Sequence, residues 1–314
     1  MMRVLVTGAD GFVGKRLCNY LEDKELDVAR AVRQADCTLR NTYTVGSIGP
    51  DTNWEIAVKG VDVVVHLAAR VHVMEDNTNE PLAEYRCVNV DGTEKLALAA
   101  VGAGVRRFIY VSSIKVNGEA TFGRAFTASD TPHPVDDYAR SKLEAEERLR
   151  RIAADTGLEV VIVRPPLVYG PDVKANFLRL LIWVDRGVPF PFPRVANSRS
   201  LVALDNLVDL LTLCVTHPQA AGKVLLVSDD EDVSTPELIR RIAGHMGKRV
   251  RVVAFPVNLL QGVARLFGKH AVVERLTGSL QLDISDTREA LNWRPPVMLD
   301  EALRETVTWY QARQ

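Results

Sequence analysis

The amino-acid sequence predicts an α/β protein built on a doubly wound parallel sheet, with a smaller α/β region interleaved toward the C-terminus. Three observations carry this expectation. Short, mostly apolar runs recur at 3–7, 27–32, 60–69, 107–113 and 159–164, as strands buried on both faces require. Between them, apolar residues fall at helical spacing, so strand and helix alternate as βαβ units do. The first strand also runs straight into a glycine turn, Gly8-Ala-Asp-Gly11-Phe12-Val-Gly14, which opens a helix marked by Val13, Leu17 and Leu21.

Composition narrows the class further. The 314 residues carry 39 Lys+Arg against 40 Asp+Glu, which gives no electrostatic case for a nucleic-acid partner. No apolar run approaches the roughly 18 residues of a spanning helix, and the first residues read as strand, so a cytoplasmic protein without a membrane span is expected. Cys18, Cys37, Cys87 and Cys214 are scattered without C-x-x-C spacing. That pattern points away from both a disulfide framework and a metal site.

Taken in order, the glycine turn lets backbone amides approach a pyrophosphate at a helix N-terminus, where the dipole favours negative charge. The second strand ends at Arg33, about 20 residues on, where an acid would accept a ribose 2′-hydroxyl and an arginine can pair with a 2′-phosphate. A solvated loop arginine is the plain alternative; the expectation is NADP over NAD. The run 60–69 ends in the small residues Leu67-Ala68-Ala69, against which a cofactor can lie. His66 within it reads as a packed strand residue rather than a catalytic base. Asn89 precedes a helix through Leu96 and Val101 and is either a cap or a polar brace near the site, with the brace favoured.

The strand 107–113 closes in Ser112-Ser113, at the edge where open α/β sheets bind ligands. About 25 residues later Tyr138-x-x-x-Lys142 enters a helix with Leu143, Leu149 and Ile152 facing inward. Residues at i and i+4 share a helical face, and an ammonium beside a phenol favours the phenolate. Together Ser113, Tyr138 and Lys142 suit proton transfer. Beyond the strand 159–164 and the run Pro165-Pro-Leu-Val-Tyr169-Gly-Pro171, periodicity becomes irregular. A helix follows Asn176, a strand starts at Arg199, and a late strand covers 223–228. Thr235 is expected to cap a helix with Pro236 in its first turn, 257–276 to form an amphipathic helix packed on the body, and 285–310 to hold two short helices around Trp293-Arg-Pro-Pro296. The division expected is a Rossmann-type dinucleotide-binding domain over 1–171 and a mainly substrate-binding region over 172–314, with some segments packing back on the first.

With these motifs in this order, the chain resembles the extended short-chain dehydrogenase/reductases, specifically the sugar-nucleotide epimerase/dehydratase group, over essentially its whole length, including Leu291-Asn-Trp-Arg-Pro. The resemblance implies that Gly8, Gly11, Phe12 and Gly14 cradle the cofactor pyrophosphate, that Leu67, Ala68, Ala69, Asn89 and Pro165 lie along the cofactor, and that Lys142 holds the nicotinamide ribose. Ser113 would polarise the substrate oxygen and Tyr138 exchange its proton. Lys115, Asn117, Asn176, Arg199 and Arg275 would face the nucleotide sugar. Relatives pair through the helices after Asn89 and after Tyr138, which implies a homodimer.

Departures from the group's patterns shape the expected reaction. Dehydratases carry Asp-Glu directly after the hydroxyl residue, and this chain has Ile114-Lys115, which argues against dehydration. Many 4-epimerases continue as Val-Tyr-Gly, here Val116-Asn117-Gly118. An acid common near the adenine is replaced by Ser47. Similarity to a branch of bacterial surface-polysaccharide synthesis makes NAD(P)-dependent reduction of a UDP-linked 4-keto-6-deoxy sugar the leading expectation. A UDP-hexose 4-epimerase that retains its NAD is the second, and a redox-inert NADP sensor or a reductase of small ketones trail both.

Overall fold

The structure is a computed structural model that describes residues 1–34, 40–71, 80–189, 195–250 and 277–314. Its centre is β1 (Arg3–Thr7), whose Val4, Leu5 and Val6 are fully buried. On one side β1 pairs in parallel with β2 (Asp27–Val32), which pairs with β3 (Thr42–Thr44); on the other it pairs with β4 (Val63–His66). β5 (Arg107–Val111), β6 (Glu159–Arg164) and β9 (Val224–Leu226) extend that second side, giving seven parallel strands in the order β3-β2-β1-β4-β5-β6-β9. The strand order therefore reverses between β1 and β4. Their C-terminal ends, Thr7 and His66, stand side by side in register at this switch point, where open α/β sheets bind ligands.

Helices cover both faces, because a parallel sheet leaves none for water. α1 (Phe12–Asp23) and α6 (Leu204–Thr216) pack with Val4, Val65, Ile109 and Val163. α3 (Gly92–Gly102) and α4 (Asp137–Thr156) pack with Leu5, Val64, Phe108 and Ile162. α4 starts at Asp136, whose carboxylate accepts the Ala139 amide at 2.8 Å, and it stops at Gly157, in the left-handed conformation helix ends favour. Before α3 comes the short α2 (Pro81–Arg86), then a single π-turn (Cys87–Asp91). A second sheet, order β10-β8-β7, joins β7 (Leu167–Tyr169), β8 (Arg199–Ala203) and β10 (Asp232–Val233). With α5 (Ala175–Asp185), α7 (Thr235–His245), α8 (Ser285–Leu291) and α9 (Leu299–Gln311) it builds the C-terminal lobe. Phe177, Leu181, Ile242 and Leu303 form that lobe's core.

Several local expectations shift. The run 60–69 is strand only at Val63–His66, since Gly60 adopts φ +67° and the chain leaves the sheet after His66. Ser234 rather than Thr235 caps α7, accepting the Glu237 amide at 3.2 Å. Thr235 instead exchanges two hydrogen bonds with Asn197, at 2.9 and 3.0 Å. Leu143 is half-buried, so the inner face of α4 is made by Ala145, Leu149 and Ile152. The amphipathic stretch 257–276 lies outside the described residues. Among the described residues, no helix is long and apolar enough to cross a membrane.

Candidate active site

The glycine turn is built for close approach. Gly8 has φ +66°, and a Cβ placed there would meet the Ala68 backbone at 3.1 Å. At Gly14 a Cβ would fall 2.1 Å from the Gly8 carbonyl oxygen. Any side chain at 14 therefore pushes α1 away from the turn. Gly11 caps α1 without a side chain and Phe12 begins it; the first turn carries no acid. The amide end of the helix thus faces the switch point with its partial positive charge uncompensated, and with Ala68 alongside, these residues fit a dinucleotide pyrophosphate. Leu67, Ala68 and Ala69 form the half-buried loop after β4, and Arg33 is exposed just past β2.

The three side chains expected to carry the chemistry, Ser113, Tyr138 and Lys142, meet near the end of β5. Ser113 lies two residues beyond the strand and starts a 3-10 turn (Ile114–Val116), its hydroxyl accepting the Lys115 amide at 3.3 Å. Tyr138 stands in the first turn of α4, half-buried, edge-on to Tyr85 at 6.2 Å between ring centres. One turn on, Lys142 is 2% exposed and donates to the Val111 carbonyl at 2.9 Å; its Nζ lies 6.0 Å from the Tyr138 ring centre and 4.6 Å from that of Tyr110. Burial brings the Lys142 ammonium down to about 7. It also pushes the Tyr138 phenol up, helped by the negative Asp136, while hydrogen bonding to the Ser113 hydroxyl works in the opposite sense. Phenolate and ammonium are each disfavoured alone in this dry site, yet each charge favours the other.

The remaining expected residues divide by environment. Asn89 is no helix cap. It is 1% exposed within the π-turn, where its side chain accepts the Arg70 amide at 2.8 Å and donates to the Arg70 carbonyl and to Ser141 Oγ, both at 3.0 Å. Lys115 is half-buried and paired with Glu119 at 2.7 Å and Asp136 at 2.6 Å. Asn117 departs from its expected place on the substrate side. Its amide donates to the Thr127 carbonyl and accepts from Arg164, and it is 2% exposed, so it braces the interior. Pro165 is buried, its carbonyl accepting the Ile114 amide at 3.0 Å. Asn176 is exposed near the start of α5, and Arg199, half-buried on β8, donates to the Gly278 carbonyl at 3.1 Å. Arg275 lies outside the described residues.

Two groups near the site escaped sequence reasoning. Asp136 both caps α4 and anchors Lys115, and the doublet Asp136-Asp137 ahead of Tyr138 was a legible cap signal. Tyr85, packed on Tyr138, gave no signal, because only the tertiary fold brings α2 to α4.

Comparisons with known proteins identify the family. The model of the NAD dependent epimerase/dehydratase family matches residues 4–227. A Vibrio cholerae protein named UDP-glucose 4-epimerase is 47% identical over 310 residues, covering 96% of this chain and 94% of its own. Among solved structures, MoeE5 in complex with UDP-glucose and NAD is 26% identical with a TM-score of 0.79, covering 99% of both chains. The UDP-glucuronic acid 4-epimerase of Bacillus cereus, in complex with NAD, has a TM-score of 0.80 at 20% identity over 99% of both chains, and so speaks to the fold alone. With its family model matched over residues 4–227 and a relative of 47% identity over nearly its whole length, the chain belongs to the NAD dependent epimerase/dehydratase family and is an NAD(P)-dependent enzyme of epimerase/dehydratase type.

Proposed function

We propose that the chain is a UDP-hexose 4-epimerase, with UDP-glucose and UDP-N-acetylglucosamine as the first substrates to test. The observation that carries this reading is the 47% identity, over nearly the full length of both chains, to a protein of that name, with the proton-transfer trio intact. It takes precedence over the 4-ketoreductase expected from sequence, which rested on the Ser113, Tyr138 and Lys142 set, the missing dehydratase acids and Arg33. Dehydration is disfavoured because Ile114 is buried and apolar and Lys115 is engaged in ion pairs.

A nicotinamide cofactor bound along Gly8, Gly14 and Ala68 would supply reversible hydride acceptance from sugar C4. Tyr138 receives the O4 proton as the C–O bond becomes a carbonyl, and returns it when the alcohol re-forms. Ser113 donates to the same oxygen, placing a fixed dipole where charge develops. Lys142, held by the Val111 carbonyl, keeps its ammonium close enough to favour the phenolate on which proton removal depends. Asn176 and Arg199 are proposed to meet the diphosphate. An epimerase recycles its cofactor within one turnover, so a retained NAD belongs to this reading. A homodimer through α3 and α4 is likewise proposed; Leu98 on α3 is 51% exposed.

Purified protein given UDP-glucose or UDP-N-acetylglucosamine, with no cofactor added, is expected to produce the galacto epimer and to release NAD on denaturation. Failure to epimerise, coupled to NADPH-dependent consumption of a UDP-4-keto-6-deoxy-N-acetylhexosamine, would install the reductase instead.

A further inference from the structure

One buried titratable group at the switch point has no part in the chemistry above. His66 ends β4 at 1% exposure, with Nδ1 2.6 Å from Thr7 Oγ1 and Nε2 3.0 Å from Thr93 Oγ1. These contacts fix its tautomer. Thr93 spends its single hydroxyl proton on the Asn89 carbonyl, 2.7 Å away, and a carbonyl can only accept. Toward His66, Thr93 is therefore the acceptor, and Nε2 must carry the hydrogen. Burial and then the Lys142 charge hold the ring pKa down to about 3, so it is neutral and Nδ1 is bare. The Thr7 hydroxyl donates to Nδ1 and itself accepts the Ala68 amide at 3.2 Å.

Every donor in this chain has one acceptor, and all bonds run the same way: Ala68 amide, Thr7, His66, Thr93, Asn89 carbonyl. From Asn89 the side chain grips both backbone groups of Arg70 and donates to Ser141 Oγ, which donates to the Tyr138 carbonyl at 2.7 Å. The aromatic rings packed on the imidazole are Phe108 and Tyr110, each 5.9 Å away between centres. Lys142, seated on Tyr110, is the cation whose charge acts on the imidazole.

We infer that His66 is a positioning residue, locked as the Nε2–H tautomer, that couples the loop 67–70 beneath the cofactor to the helix bearing Tyr138 and Lys142. A histidine is suited to this because its two nitrogens join two hydroxyls across the sheet end, one accepting and one donating. The tautomer follows from the contacts of a neutral ring; the effect on turnover rests on the epimerase reading above.

Nitrogen NMR of the 15N-histidine-labelled full-length protein is expected to show His66 as a single Nε2–H tautomer, unchanged between about pH 8 and 5.5, well above its depressed pKa. An Nδ1–H form, or titration within that range, overturns the assignment. Thr93→Val keeps the shape and removes the acceptor, so it is expected to disturb the tautomer and speed NAD release about tenfold, the effect of one buried hydrogen bond left unmade. Thr93→Ser, which keeps the hydroxyl, restores both. Wild-type tautomer and NAD retention in Thr93→Val would overturn the coupling. If the wild type shows the tautomer yet epimerises nothing, the reaction assigned above fails and the relay stands.

Discussion

At the scale of single residues, the proposed reaction has Tyr138 and Lys142 divide the labour of moving one proton, and each answers a different measurement. Tyr138→Phe leaves the ring against Tyr85 and removes only the hydroxyl. It is expected to lower kcat about 10³-fold, within the range of general acid–base catalysis, while NAD stays bound; turnover within tenfold of wild type would remove Tyr138 from the chemistry. Lys142 carries a cost as well as a role. Burial lowers its pKa from 10.5 to about 7, so between those values the unfolded chain binds a proton the folded one releases, and stability rises with pH. The penalty is complete below pH 7 and fades toward pH 10. In cofactor-free protein, Lys142→Met is thus expected to raise Tm at pH 6 by about 2 °C, consistent with a relief of one to two kcal/mol in a chain of this size, and by much less at pH 9.5. An unchanged or lower Tm at pH 6 would mean that the Val111 carbonyl and the Tyr110 ring offset the desolvation.

At the scale of elements, α4 is the part that must not move, since it carries both residues, and beneath its apolar inner face its hold on the sheet includes a buried ion pair. Arg164, at the end of β6, makes a double hydrogen bond to Glu146 at 2.9 and 2.5 Å, with both side chains almost fully buried. Removing one partner of a buried pair strands the other charge. Glu146→Gln is expected to cost about 3 kcal/mol in urea unfolding, whereas Glu146→Leu with Arg164→Met, an apolar replacement of both, recovers most of it. Equal losses in the two variants would show that packing, not the stranded guanidinium, sets the effect. This pair also marks the limit of what the sequence discloses. The glycine turn, the buried strands and Tyr138-x-x-x-Lys142 are legible because strand period, helical spacing and turn chemistry are local. Glu146–Arg164, Lys115–Asp136 and Tyr85–Tyr138 join residues 18 to 53 positions apart by number, and no local pattern carries them. Asn117 was misplaced for the same reason. A polar residue on a loop beside Ser113 reads as a ligand contact until the fold presents a buried guanidinium to its side-chain oxygen.

At the scale of the whole molecule, segments from beyond residue 171 are built into the main sheet and its helical layer. The seventh strand of the main sheet, β9, comes from the second half and pairs with β6 from Ile162↔Val224 to Arg164↔Leu226. α6 also comes from there, and it lies on α1, joined by Arg16 to Asp205 at 2.6 Å and Tyr20 to Asp209 at 2.7 Å. Arg107, 1% exposed on β5, satisfies its guanidinium on the carbonyls of Cys214, Val215 and His217 at and just beyond the end of α6. A fragment covering 1–171 would keep six of the seven main-sheet strands and lose all of these. β6 would become an open edge, the apolar face of Val65, Ile109 and Val163 would meet water, and Arg107 would lose three buried acceptors. That fragment is therefore expected to unfold in urea without a sharp transition and to bind hydrophobic dyes, while the full chain unfolds cooperatively. A steep transition in the fragment, with native near-ultraviolet circular dichroism, would show that the dinucleotide-binding half folds alone and that β9 and α6 are additions to a finished sheet.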